Sequence, residues 1–427
     1  MMRLPSVESQ RSVLDDLRAA TEAATALLNR SLEATSLNDD DDDVPVPRRG
    51  KLGNDILGPQ NPERAKQARD SVRPPLTDHG KMANMKWTFT DSHIRLEEGG
   101  WARETTVREL PTSKELAGVN MRLGKGVYRE LHWHNESEWA YIIAGECRIT
   151  VLDTEGGSFI DDVGEGDLWY FPPGFPHGIQ GLGEQGVEFL LIFDSGNFSE
   201  DDTFLLTDYM AKTPKHILAH NFRVSEEVFS TLSQREKYIF QGSDPGSLSD
   251  ARKSVVPSKH MFTHRMLKQK PFKFPGGQVR VTDTRNFPIS KSTAAAHVIV
   301  YEGGLREMHW HPNADEWFFV LRGQCRVTIF AAAGNARTFN YQAGDVGIFP
   351  RNNAHYVENI GKGDLEFLEM FRAPTFEDFS LEQWLAQTPA LEVAEHLNLK
   401  GDAKKDFFKQ LSRDKVPVKG PERPKSV

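Results

Sequence analysis

The residues best suited to chemistry are histidines set two apart. His132 and His134 lie in Arg129-Glu-Leu-His-Trp-His134 with Glu138 just beyond, and the pattern returns as Arg306-Glu-Met-His-Trp-His311 with Glu316. In an extended strand alternate side chains share a face, so the two imidazoles of each pair point one way and Trp133 or Trp310 points the other. Two imidazoles on one face begin a metal site. Three residues separate His134 from Glu138 and four separate His311 from Glu316, so a turn must return the carboxylate to the histidines. Each copy then offers a further ligand, because Gly166-Asp-Leu-Trp-Tyr-Phe-Pro leads to His177 as Gly344-Asp-Val-Gly-Ile-Phe-Pro leads to His355. The ligand sets expected are His132, His134, Glu138 and His177, and His309, His311, Glu316 and His355. A lone histidine is ordinarily a hydrogen-bonded core or surface residue. Recurrence of the whole set in register is not explained that way.

Three neutral imidazoles and one carboxylate, without sulfur, suit a first-row ion that accepts six ligands and keeps positions open for substrate or dioxygen. Manganese or iron fits better than a closed tetrahedral zinc. Arg129 and Arg306 precede the first histidine of each pair, where a guanidinium can bind and polarise an anionic carboxylate by charge-assisted hydrogen bonds. A barrel salt bridge is the alternative use of either.

The elements that position these groups are short strands. With 427 residues, 34 Gly and 24 Pro, the chain suits two turn-rich domains, each large enough for a full core. The net charge of -9 and the lack of a basic track argue against a nucleic-acid partner. No apolar run has membrane-spanning length. Cys147 and Cys325 stand at equivalent repeat positions and read as small buried strand residues rather than a disulfide.

In chain order, residues 11–34 read as an amphipathic helix within an N-terminal extension, 1–54. Asp15, Asp16 and Glu22 argue against a signal or transit peptide, which gives cytoplasmic as the expected location. Asp39 to Asp43 form an acidic run of the kind that is usually solvated. An arm (55–84) leads to a first strand domain (85–240), with strands beginning near Met85-Lys-Trp-Thr-Phe-Thr90 and helical pieces around 204–210, 215–220 and 225–232. A loop (241–261) crosses to a second strand domain (262–415), which ends in helices near 381–386 and 390–397, and 416–427 form a tail. Many short strands separated by turns predict all-β barrels or sandwiches.

The twin motifs, together with Gly157-Ser-Phe-Ile-Asp-Asp-Val-Gly-Glu-Gly-Asp-Leu-Trp-Tyr-Phe-Pro172 and Ala336-Arg-Thr-Phe-Asn-Tyr-Gln-Ala-Gly-Asp-Val346, resemble the bicupin oxalate decarboxylases of the cupin superfamily from about residue 70 to 415. That resemblance implies two tandem cupin domains, jelly-roll β-barrels with short flanking helices, and a manganese ion in each. It also implies a homo-hexamer of stacked trimers that converts oxalate to formate and carbon dioxide, with dioxygen required but not consumed. In such a ring of alternating barrels Trp133 and Trp310 can stack across a subunit contact. Aligning Glu188-Phe-Leu-Leu-Ile-Phe193 with Glu366-Phe-Leu-Glu-Met-Phe371 sets Leu191 against Glu369, so the first site must import its acid. The resemblance places a lid glutamate at Glu200, in Ser199-Glu-Asp-Asp-Thr203, where Asp201 and Asp202 replace the more usual Asn-Ser. The catalytic residues expected are Glu200 and Arg129 in the first barrel and Glu369 and Arg306 in the second. An oxalate oxidase and a non-enzymatic metal-binding bicupin are the competing readings.

Overall fold

Gly145 and Gly323 mark the corner at which each barrel closes. The strand Glu138–Leu152 pairs in its first half with Leu168–Phe171 and Val187–Phe193, and in its second half with Ser158–Gly164 and His177–Gly181. It changes sheet at Gly145, whose φ of 77° and closeness to the Gly186 carbonyl leave no room for a side chain. In the second barrel Gly323, at φ 89°, splits the same path into Glu316–Arg322 and Gln324–Ala331. These elements come from a computed structural model that describes residues 44–78 and 81–421. The expected helix at 11–34 and the acidic run Asp39–Asp43 lie outside the described residues.

The first barrel is built from antiparallel strands, with Val127–Trp133 next to His177–Gly181, and with Val187–Phe193 next to Ala117–Leu123, which is followed outward by Gly100–Thr105 and Ile94–Glu97. The second repeats the plan in two sheets. One orders Gly277–Thr282, Ala294–Val300, Leu365–Phe371, Glu316–Arg322 and Asp345–Phe349, and the other Gln324–Ala331, Ala354–Asn359 and Leu305–Trp310. Two tandem β-barrels are therefore present, as expected.

Strands between the barrels are buried on both faces. Along Val187–Phe193, Phe189, Leu191 and Phe193 fill the first barrel, whereas Leu190 and Ile192 join Trp139, Trp317, Leu368 and Met370 in a core shared by the two barrels. This is why the sequence there is uniformly apolar rather than alternating.

The barrels also exchange edge strands. Lys86–Thr88, expected in the first barrel, pairs with Asp345–Gly347 of the second, and Thr263–His264 pairs with Leu168–Trp169 of the first. Alternation marks a strand without saying which sheet receives it, so this exchange was not part of the expectation. The helices Leu206–Lys212, Lys215–Phe222, Leu381–Gln387 and Ala390–His396 fall where expected. The crossing loop holds an unexpected helix, Leu248–Lys253, whose first turn is capped by Ser247, and a further helix, Gly401–Gln410, follows the second barrel. The tail is likewise not free, since Val418–Lys419 pairs with Leu305–Arg306 as Ile239–Gln241 pairs with Val127–Arg129.

Among the described residues, 44–78 and Lys81 group with Asn335–Asn340 as a separate compact unit, in which the Asp70 N–H donates to Asn340 Oδ1 at 2.8 Å. Both cysteines are buried and free. Among the described residues no helix is long and apolar enough to cross a membrane.

Candidate metal centres and the first-barrel site

The strand Val127–Trp133 presents His132 inward and ends just before His134. His177 opens its own strand directly opposite His132, and the pairing slips between His177 and Ile179, so one ligand is set out of regular register. Glu138 begins the strand after the turn. The second barrel repeats this, with His309 opposite His355 and Glu316 at a strand start. In each set the donor atoms lie within 4.8 Å of one another and all four side chains are buried.

The donor chemistry fits a cation. Nδ1 of His132, His134 and His177 donates to the carbonyls of Glu130, Glu136 and Phe175 at 2.6, 2.7 and 2.8 Å. In the second set Nδ1 of His309, His311 and His355 donates to Glu307, Glu377 and Asn353 at 2.6, 2.7 and 2.9 Å. A carbonyl only accepts, so in each neutral ring Nε2 is a lone pair facing inward. Glu138 Oε2 nevertheless lies 3.2 Å from His134 Nε2 and 3.4 Å from His177 Nε2, and Glu316 Oε2 lies 3.1 and 3.0 Å from His311 and His355. Acceptors gathered this closely are reconciled by a positive ion among them. Burial and the adjacent Arg129 push His132 far below its usual range, and burial with Arg306 does the same to His309. Burial opposes ionisation of Glu138 and Glu316, but the facing histidines outweigh it and hold both carboxyls low.

Beside the first set, Arg129 is 2% exposed and its Nη2 donates to Glu200 Oε2 at 2.9 Å. The Tyr238 hydroxyl donates to the same oxygen at 2.8 Å. The guanidinium carbons of Arg129 and Arg95 lie 4.1 and 3.6 Å from the Tyr238 ring centre. Tyr238 adopts φ 53°, a left-handed conformation unusual for its type, held by its N–H on Glu130 Oε2 at 2.8 Å. Glu130 also accepts the N–H groups of Thr207 and Lys237 at 2.6 and 3.0 Å, so one buried carboxylate fixes both the exit of the lid and the segment carrying Tyr238. The segment expected to act as a lid is a 3-10 turn, Glu200–Asp202, started by Ser199, and its Glu200 N–H donates to Glu104 Oε1 at 3.1 Å. Asp201 and Asp202 are exposed, which leaves their added charge in solvent.

The second barrel treats its arginine differently. Arg306 Nε donates to Glu369 Oε1 at 3.1 Å and Nη2 to Asp378 Oδ2 at 2.9 Å, and Lys415 ion-pairs with Asp378. Glu369 does occupy the place of Leu191, since each lies on the strand paired with the one that begins at the ligand glutamate, at matching register: Leu191 opposite Ala140 and Glu369 opposite Phe318. Phe379–Ser380 pairs with His309–Trp310 as Phe204–Leu205 pairs with His132–Trp133, so Asp378 corresponds to Thr203. All four expected catalytic residues thus lie beside a ligand set. Tyr238, Glu104 and Asp378 were not foreseen, because each reaches its site by a long-range pairing that leaves no local pattern, whereas Glu130 recurs as Glu307 inside the repeated motif, a signal that was given no role. Trp133 and Trp310 face outward, the former stacked on Phe204 at 5.6 Å and the latter packed on Phe379 and Trp384 at 5.7 Å each.

Comparison with known proteins agrees with this geometry. The Cupin family model matches residues 88–229 and 264–405. Oxalate decarboxylase of Bacillus subtilis (strain 168) is 54% identical over 380 residues, covering 88% of this chain and 97% of that protein. A probable oxalate decarboxylase of Arthroderma benhamiae is 39% identical over 329 residues, covering 76% and 81%. A solved structure of the Bacillus subtilis enzyme, determined in work on its Mn(II) centres, superposes with a TM-score of 0.86 at 52% identity and covers 89% of this chain and 100% of that one. Twin cupin barrels with one ligand set each, and likeness at this level over nearly the whole length, identify the chain as a member of the bicupin oxalate decarboxylase family.

Proposed function

We propose that the protein is a manganese-dependent oxalate decarboxylase that converts oxalate and a proton to formate and carbon dioxide, with dioxygen required but not consumed. The observation that carries this reading is the pairing of Glu200 with Arg129 beside the first ligand set. His132, His134, Glu138 and His177 would hold one ion, and His309, His311, Glu316 and His355 the other. Oxalate has no C–H bond to break, and manganese held there would supply the redox-active centre that cleavage of its carbon–carbon bond calls for.

The chain's own residues do the rest. Arg129 binds a substrate carboxylate by charge-assisted hydrogen bonds and holds it next to the lid. Glu200 takes the proton of mono-anionic oxalate and returns it to carbon once carbon dioxide has left. Arg129 and Tyr238 both donate to Oε2, so the proton travels on Oε1. The lid, with Glu200 only 7% exposed, keeps water from the reacting carbon.

In this reading the first barrel is the working site. Arg306 is already engaged by two buried carboxylates, Glu369 and Asp378, and among the described residues no counterpart of Glu200 reaches it. Assembly into a hexamer of stacked trimers belongs to the same proposal. The exposed aromatic groups around Trp133 and Trp310, among them Phe204, Tyr209, Phe379 and Trp384, support self-association. Assaying purified, manganese-loaded protein with oxalate tests the function: formate is expected. Peroxide without formate would make it an oxidase, and neither product a metal-binding bicupin.

A further inference from the structure

Decarboxylation of oxalate breaks one carbon–carbon bond and forms one C–H bond, so the dianion plus one proton gives formate and carbon dioxide. Mono-anionic oxalate brings that proton with it. The dianion brings none, and each turnover then draws one from solvent past a closed lid. Glu200 itself is nearly sealed off. Glu104, on the strand Gly100–Thr105, is not: its side chain is 18% exposed, with Oε1 on the Glu200 N–H at 3.1 Å and Oε2 on Arg108 Nη2 at 2.6 Å. Glu104 and Glu200 line one cavity of about 380 Å³ that opens to the surface. A polar cavity of that size admits several waters.

The two barrels supply an internal control. Glu104 pairs with Val119, and the matching position in the second barrel, which pairs with Ala296, is Val281. The carboxyl is therefore present where the lid glutamate and Tyr238 are present, and absent where Glu369 and Asp378 clasp the arginine.

Resting on the decarboxylase reading, we propose that Glu104 is a positioning residue that holds the closed lid through the Glu200 N–H and relays a solvent proton, through water in the shared cavity, to Glu200 Oε1 when oxalate binds as the dianion. After Glu200 gives its proton to carbon, Glu104 replaces it and is itself recharged from solvent. Burial and the nearby Glu200 raise the Glu104 carboxyl to about 7, Glu109 acts in the same direction, and Arg108 opposes them. His93, Arg95 and Tyr238 face it across the cavity, with Asp201 on the lid side. A group that both holds and releases a proton near neutral pH is suited to the relay.

Glu104→Gln tests this in the manganese-loaded enzyme, since the amide oxygen still accepts the lid N–H but cannot pass on a proton. Formate kcat relative to wild type is expected within about twofold near pH 3.5, where oxalate binds largely as the mono-anion that carries its own proton, and at least about tenfold lower near pH 7.5. Glu104→Asp is expected to recover part of the loss. Independently of turnover, the protonated-carboxyl infrared band that titrates near pH 7 is expected to be missing from the Gln variant. A ratio that stays near one at all pH values, a uniform loss at all pH values, or an unchanged infrared titration would each overturn the relay. Absence of formate from wild-type protein would instead overturn the decarboxylase reading beneath it.

Discussion

Tyr238 and Pro417 occupy the same place in the two barrels. The Glu130 N–H donates to the Tyr238 carbonyl at 2.9 Å, and the Glu307 N–H donates to the Pro417 carbonyl at 2.9 Å. Each residue precedes an edge strand laid on the strand that bears the site arginine. Only Tyr238 carries a hydroxyl, and that hydroxyl sits on the lid carboxylate. Tyr238→Phe removes one hydrogen bond to a charged group, a loss of about 1.5–3 kcal/mol. Formate kcat should fall roughly tenfold with manganese content unchanged. An unchanged kcat would mean that Arg129 alone positions Glu200.

Glu200→Ala should remove the proton carrier outright. Formate production is expected to drop by about 10²–10⁴ while manganese content and oxalate binding persist. Peroxide release should rise, because an intermediate denied its proton can lose a second electron to dioxygen. Steady-state assay of both products decides this, and normal formate output would remove Glu200 from the mechanism.

The metal sites should be independent and alike in composition. Purified protein should carry two manganese per chain, and His132→Ala and His309→Ala should each lose about half of it by elemental analysis. Stripping the ions should also lower Tm, since a ligand bound only by the folded state stabilises it. Full metal retention in His309→Ala would show that the second set does not bind as described.

Glu369→Ala separates a working site from a structural one. The change leaves Arg306, buried, with Asp378 as its remaining side-chain partner among the described residues, and breaking a buried ion pair costs about 3–5 kcal/mol. Thermal unfolding should shift down clearly, while formate output per folded enzyme falls much less than in Glu200→Ala. The reverse pattern would assign catalysis to the second barrel.

Glu104 also has a stability signature. Its folded carboxyl is raised to about 7, so the folded state retains that proton where the unfolded chain has lost it. The associated stability is full below the unfolded value of about 4.3 and is lost as pH rises through about 7. Glu104→Gln lacks this titration, so its Tm should gain on wild type by roughly 1–3 °C between pH 4.5 and pH 8. A constant Tm difference across that range would contradict the raised value.

The eight ligands were legible in the amino-acid order because their geometry is local. A period of two puts His132 and His134 on one face, and the Gly166 and Gly344 turns deliver His177 and His355 at the same interval in both copies. The alignment of Leu191 with Glu369 was legible for the same reason, as matching positions in repeated strands. What the order of residues did not contain is which distant segments meet. Lys86–Thr88 reads as a strand anywhere, and only the packing of one barrel on the other sends it to Asp345–Gly347. Glu104, Tyr238 and Glu200 are separated along the chain by two long stretches, and nothing near any of them marks it as a partner of the others. Their meeting depends on the edge strand Ile239–Gln241 lying against Val127–Arg129, and on Glu130 accepting the backbone N–H groups of Thr207, just after the lid, and of Tyr238. Side-chain type and spacing determined where a metal can bind. The contacts that close the first site and clasp the arginine of the second were decided by hydrogen bonds that exist only once the barrels have formed.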